Sequence, residues 1–439
     1  MGLSKKTKLI VSLALTISLT SVLTIGCNNG VSQSNNNKTQ EASNDSTLIY
    51  TQGIEQTTIY GKVKGSKENN EKTLLWQGIP YAKAPIGNLR WKAPEDPEIW
   101  NNVFDATTPG NVGIQLSGSD IIGSEDCLNL DIYRPNTDET NLPVLLFIHG
   151  GNNQTGTSSE IDARKLAVNA NCIVVSINYR LGALGFNSLP ALKTGDINED
   201  SGNYTLLDIA KSLDWINENI EAFGGNPNNI TASGFSAGGR DIMAMLISPI
   251  FEGKFQKAIA FSGGMTISDP EESAQIIAKA IAPLVIEDNV KETEEDAYNW
   301  LLTDDTEVKD YLYSLFLTDT VTGFGASYPE AFNNEGAKDL SNKFTKYISN
   351  FLWNDNPNGE DLVEWNSWTS SSDGPTQLLL DADLNKAIIT ISHERTSYES
   401  ILNEIENDHS ITDEDKNTIV KEVLNGRWFS SRLDSYFNN

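Results

Sequence analysis

The sequence predicts an α/β protein built on a mostly parallel sheet with helices on both faces. Two observations carry that expectation. Short, apolar, β-branched runs recur between Leu48 and Ser262, and longer stretches with helical spacing lie between them. Strands that are apolar throughout are buried on both faces, and their alternation with helices marks a parallel sheet wrapped by crossover connections. At 439 residues the chain is long enough for one large core, since α/β units often exceed the ~150 residues of an average domain.

The first residues stand outside that core. Lys5, Lys6 and Lys8 make a basic start, residues 9–25 form an almost uncharged apolar and hydroxyl run, and Gly26 precedes Cys27. Residues 1–26 read as a targeting segment to be excluded from the fold, and LTIGC resembles a bacterial lipoprotein signal, with Cys27 as the lipid attachment point. A helix that stays in the membrane is the other reading of the same run. Residues 27–47, rich in Asn and Ser, show no apolar period and read as a flexible tether. The expectation is an exported domain, residues 48–439, lipid-anchored at a bacterial cell-envelope membrane.

Within the domain, residues 144–149 (VLLFIH), 172–178 (CIVVSIN), 230–234 (ITASG) and 258–262 (AIAFS) are the expected strands, each bounded by Gly, Asn or Pro. Residues 162–169 and 206–221 carry helical spacing between them. After Ser262 the pattern changes: residues 269–315 are acidic and helical, residues 340–352 form an amphipathic helix, and helices are expected over 399–407 and 413–424. Only residues 386–392 (KAIITIS) look strand-like there, so late strands of the sheet are expected to be missing.

Composition narrows the function. Asp and Glu number 60 against 32 Lys and Arg, a formal charge of -28. Nucleic acid is set aside, because phosphate binding needs clustered cations to displace counterions. Three Cys cannot frame a disulfide scaffold, and three His leave little for a metal cluster. No metal or organic cofactor is expected.

The chemistry-bearing motif is Gly234-Phe235-Ser236-Ala237-Gly238, placed directly after a strand and before a helix. A tight strand-to-helix turn holds a nucleophile in strained backbone geometry and needs small neighbours. An acyl-transfer serine also needs donors aimed at the developing oxyanion. His149-Gly150-Gly151-Asn152 follows VLLFI and suits that role, together with the amide of Ala237.

These motifs, with GIPYAKAPIGNLRW (residues 78–91), EDCLNLDIYRP (125–135), INYRLGALGF (177–186), SGNYTLLD (201–208) and FGGNPNNITASGFSAGG (223–239), resemble the type-B carboxylesterases. That family includes the cholinesterases and the non-catalytic neuroligins. The resemblance is dense from Gly61 to Gly263 and returns over 340–368. It implies an α/β-hydrolase fold and hydrolysis of a small-molecule carboxylic ester through an acyl-serine. Ser236 matches the nucleophile; Gly151, Asn152 and Ala237 match the oxyanion-hole donors, with Asn152 standing where the family has a third Gly. Arg90 with Glu125, and Arg180 with Asp208, match ion pairs that brace the scaffold. Cys127 matches a half-cystine whose partner position is Gly113, so a free thiol is expected there. Cys172, in an apolar strand, is expected to be packed inside.

The resemblance then breaks off. A serine hydroxyl needs a general base, and the base an orienting acid. After Ser236 only His393 and His409 remain, and neither stands where the family keeps its base, which falls near residues 325–328. His393, at the end of KAIITIS, is the candidate base left over; a structural or surface role is the competing reading of it. No residue is assigned as the acid: Asp319 and Glu330 are nearest in chain order, with nothing to select either. Phe235 replaces a Glu of the family. Two functions stay open: an ester hydrolase acting through Ser236, and a degenerate relative that binds a partner at the cell surface without catalysis. The ester and the oligomeric state are not specified by the sequence.

Overall fold

The computed structural model describes residues 48–68, 70–117, 120–264, 268–315, 335–367, 377–382, 385–393, 398–408, 412, 413 and 416. The targeting segment, the tether with Cys27, His409, Asp319, Glu330, positions 325–328 and most of the helix expected over 413–424 lie outside them.

Among the described residues seven strands make the central sheet: β1 (Ser66–Glu68), β2 (Thr73–Pro80), β3 (Asn129–Pro135), β4 (Leu142–Ile148), β5 (Ile173–Ile177), β6 (Gly225–Phe235) and β7 (Lys257–Phe261). Their order across the sheet is β7-β6-β4-β5-β3-β2-β1. The four strands read from sequence, β4 to β7, pair in parallel. The other three are joined to β5 and to one another by antiparallel ladders. The sheet is therefore mixed, with its parallel part confined to one side. Antiparallel neighbours can follow through short links, whereas parallel strands need crossovers.

Two layers of side chains cover the sheet. Val144, Leu146 and Ile148 of β4 join Ile173, Val175 and Ile177 of β5 in a core shared with Ile209, Leu213 and Ile216 of the helix α2 (Tyr204–Asn219). On the opposite face, Leu145 and Val174 pack with Ala163, Ala167 and Ala170 of α1 (Ala163–Ala170). Alternation along each strand sends successive residues to opposite faces, so the all-apolar runs are explained by burial on both.

The scaffold ion pairs form as the resemblance implied. Arg180 Nη2 and Nε reach Asp208 Oδ1 and Oδ2 at 2.6 and 2.8 Å with both side chains fully buried. Arg90 Nη2 and Nε grip Glu125 at 2.6 and 2.8 Å, and Arg90 Nη1 also donates to the carbonyls of Tyr313 and Leu315. Cys127 and Cys172 are free and buried.

Beyond Ser262, α4 (Pro270–Glu287), α5 (Glu294–Leu301) and α6 (Thr306–Ser314) build a second apolar cluster with Trp91, Leu189 and Tyr204. The long α7 (Glu335–Asn354) lies along β7: the rings of Phe344 and Phe261 meet at 6.0 Å, while Lys257 Nζ donates to Leu352 O at 2.7 Å and pairs with Asp355. Among the described residues the sheet ends at β7. The expected strand at 386–392 is present as Ala387–Ser392, but it pairs antiparallel with Gln377–Ala382 in a separate two-stranded sheet instead of extending the central one. The partner strand was not anticipated from sequence. It forms because hairpin pairing supplies the ladder bonds that an isolated strand would lack. Among the described residues no helix is long and apolar enough to cross a membrane, and no group of three or more His, Cys, Asp or Glu is placed to hold a metal.

Candidate active site

Chain order reverses around β4: β5 lies on one side of it and β6 on the other. In such sheets the loops leaving the two sides diverge and open a crevice at the carboxyl ends of the strands. The loop after β4 carries Gly150, Gly151 and Asn152; the turn after β6 carries Ser236.

Ser236 has φ 54° and ψ -112°, a conformation costly for any residue with a Cβ. It sits between the end of β6 and the start of α3 (Ala237–Met245). Its amide donates to Phe261 O at 2.8 Å and its carbonyl accepts from Arg240 N at 3.0 Å, so neighbouring elements hold the strain in place. Two close approaches explain why glycines flank it. A Cβ on Gly238 would stand 2.1 Å from Ile148 O, and one on Gly150 would stand 2.9 Å from Phe235 O and 3.1 Å from Ser236 Cβ. Gly150 therefore brings its loop against the elbow.

The loop is fixed along its length. Gly150 N donates to Glu160 Oε2 at 2.9 Å, and Gln115 takes both polar groups of Gly156, each at 2.8 Å. Gly151 O accepts from the amides of Gln154 and Thr155, each at 3.0 Å. Asn152 and Asn153 are both left-handed, with φ of 58° and 55°, which Asn tolerates better than most residues. The amides of Gly151, Asn152 and Ala237 donate to no acceptor among the described residues. Ala237 N is moreover the first amide of α3, where the helix leaves N–H groups unpaired and partial positive charge accumulates. These are the three donors named from sequence, drawn from both sides of β4.

The remaining sequence candidates are placed differently. His149 lies one residue past β4, buried, with its ring stacked 4.3 Å from that of Tyr179 and Nδ1 2.9 Å from Gly150 O. Burial pushes its imidazole down to about 4, so it stays neutral as part of the packing. His393 follows the Ala387–Ser392 strand, exposed and on the separate hairpin. No hydrogen bond joins it to Ser236, whose hydroxyl has no partner among the described residues. Phe235 is 45% exposed beside the serine and gives that wall of the crevice an apolar face where the family has a carboxylate.

Four residues that sequence reading passed over shape the site. Arg240 and Asp241 on α3 reach the loop after β4, and Tyr179 hydroxyl donates to His149 O at 2.7 Å. Gln115 is the fourth. Only the position of Arg240 and Asp241 one turn beyond Ser236 was a usable signal, and helix geometry alone does not say what that turn faces.

Known proteins resemble the chain in sequence and in fold. The chain is 46% identical over 242 residues to the para-nitrobenzyl esterase of Bacillus subtilis (strain 168), a match covering 52% of this chain and 48% of that protein. It is 40% identical over 250 residues to an acylcarnitine hydrolase of Rattus norvegicus, covering 52% and 44%. The chain thus spans about half the length of the curated relatives it matches. A carboxylesterase crystal structure from Geobacillus stearothermophilus superposes with a TM-score of 0.59 at 22% identity, over 77% of this chain and 98% of that one, a likeness of fold. The carboxylesterase family model matches residues 52–307, more than half of the sequence and the whole of the elbow and its facing loop. The chain belongs to the carboxylesterase family.

Proposed function

We propose that this protein is a carboxylic ester hydrolase that works through an acyl intermediate on Ser236. One observation carries the reading: a serine held at φ 54° faces a loop whose Gly151 and Asn152 amides, with that of Ala237, have no acceptor among the described residues. Such donors cost stability where water is excluded and repay it when an oxyanion arrives. In the reaction Ser236 Oγ attacks the ester carbonyl carbon while its proton passes to a base. The carbonyl oxygen becomes an anion facing the three amides; collapse breaks the ester C–O bond while the base returns its proton to the leaving oxygen, so the alcohol departs and the acyl-serine remains. Water then repeats the attack and releases the acid.

The base and acid are assigned to no residue. His393 is the candidate kept from sequence, and its exposure on a separate hairpin speaks against it as the base; the competing reading is a surface protein that binds without turnover. On either reading the domain is proposed to be exported and held at a bacterial envelope membrane through lipid on Cys27, an assignment supported by the basic start, apolar run and Gly26-Cys27 pair. The ester is a small molecule, with the exposed ring of Phe235 favouring an apolar group beside the scissile bond.

A fluorophosphonate probe tests the hydrolase reading. It forms a P–O bond to an activated serine with loss of fluoride, so the wild-type protein is expected to label and Ser236→Ala to stay unlabelled. A wild-type protein that stays unlabelled sinks the activated serine and leaves the binding reading.

A further inference from the structure

The loop after β4 and the helix that begins at Ser236 are joined by two consecutive residues on each side. Arg240 Nη2 donates to Asn152 Oδ1 at 3.0 Å. Asn153 Nδ2 donates to Asp241 Oδ1 at 3.0 Å. Asp241 is 4% exposed, and its Oδ2 accepts from no group among the described residues. Asn153 is nearly as buried; its carbonyl accepts from Gly182 N at 2.7 Å and its Oδ1 lies 3.5 Å from the Tyr179 hydroxyl.

A carboxyl withdrawn from water this completely is expensive unless its lone pairs are met. Asp241 has one oxygen satisfied and one not. An apolar residue at a buried position of α3 would avoid that penalty and continue the helix as well. What Asp241 supplies that an apolar residue cannot is an acceptor for Asn153, the neighbour of the amide donor Asn152. Arg240 takes the side chain of Asn152 itself. Two of the three unpaired amides lie on the loop and the third on the helix, so the shape of the donor set depends on how these two segments sit against each other. A displacement of about 1 Å in such a set is enough to cost catalysis heavily.

We propose that Asp241, with Arg240 beside it, is a positioning residue: the pair grips Asn153 and Asn152 and holds the Gly151 and Asn152 amides in register with Ser236 and Ala237. The catalytic consequence rests on the ester-hydrolase reading; the structural one rests on the two contacts alone.

Hydrogen exchange of the peptide spanning residues 149–157 and steady-state hydrolysis of a chromogenic acetate ester test it together, in the full chain and in Asp241→Ala, Asn153→Ala, the double variant and Asp241→Asn. Either alanine variant is expected to speed exchange of that peptide about tenfold while residues 163–177 keep the wild-type rate. The double variant is expected to add little to either single one, because both remove the same bond. For the ester, kcat is expected to fall about tenfold or more with KM within about twofold, the mark of an interaction used in the transition state. Asp241→Asn keeps an acceptor at Oδ1 and is expected to retain most of both properties. Should Asp241→Ala fail to fold, Asn153→Ala reads the same bond from the loop side. Unchanged exchange in folded alanine variants overturns the proposal. So do losses that multiply in the double variant, and so does Asp241→Asn behaving like Asp241→Ala. A wild-type protein inert to both ester and fluorophosphonate, whose loop exchange still quickens in Asp241→Ala, refutes the hydrolase reading and leaves the clamp standing.

Discussion

Ser236 is tied to Phe261: the amide of the strained residue donates to the last carbonyl of β7 at 2.8 Å. The strain at the elbow is thus held by an adjacent strand and does not relax into the helix. A non-Gly residue at such a dihedral pair costs about 1–3 kcal/mol. Ser236→Gly is therefore expected to be more stable than Ser236→Ala by about 1–2 kcal/mol, read from urea unfolding, while neither variant labels with fluorophosphonate. Equal stabilities would mean that the elbow is not strained.

The buried pair of Arg180 and Asp208 makes a second expectation. Removing one partner strands the other charge away from water, which costs about 3–5 kcal/mol. Asp208→Ala is expected to lose that much stability, and the larger loss should fall on the strands near Arg180. A variant that unfolds at the wild-type urea concentration contradicts the assignment of the pair as a brace.

Asp241 sets a pH dependence of stability. Burial pushes its carboxyl from an ordinary 3.8 up to about 6, against the bond from Asn153 and the charge of Arg240, which pull the other way. The neighbouring Tyr179 is held neutral, its phenol pushed well above 10 by burial, and the His149 stacked on it is neutral above about 4. Between pH ~4 and ~6 the native state keeps the proton that the unfolded chain releases, so stability falls as pH rises through that window. The shift corresponds to about 3 kcal/mol. Asp241→Asn is expected to lack this slope and to gain on the wild type by about that amount between pH 4 and pH 8 in paired urea titrations. A gap between the two proteins that does not change with pH counts against it.

His393 is expected to be dispensable. It is exposed, on a hairpin outside the central sheet, with no hydrogen bond to Ser236. His393→Ala should label with fluorophosphonate at the wild-type rate within about twofold. A base removed from a serine nucleophile slows acylation by orders of magnitude, so a loss of that size would restore His393 as the base.

The parallel strands, the elbow and the glycine loop that faces it were legible in the sequence because each is written locally. Apolar runs declare a strand buried on both faces, and a glycine-flanked serine between strand and helix declares the turn. The antiparallel β1 and β2 were not read as strands, since β1 is three residues long and β2 contains Gly78 and Pro80. Arg240 and Asp241 were missed for a different reason. Their partners Asn152 and Asn153 lie 88 residues away, and polar side chains that far apart in the chain carry no local sign that they meet. The burial of His149 against Tyr179 depends on β5 lying beside β4, which spacing does not specify.

The attachment of α7 gives the molecule a built-in ruler. Leu352 in its last turn and Asp355 just past its end are fastened to Lys257, where β7 begins, and its earlier residue Phe344 meets Phe261, where β7 ends. The helix therefore runs against the strand, and its 20 residues span about 30 Å. Glu335 stands on the side of the sheet where Ser236 opens to solvent, and Asp355 on the far side. A fluorophore at Glu335 should sense what enters the crevice, and one at Asp355 should be blind to it.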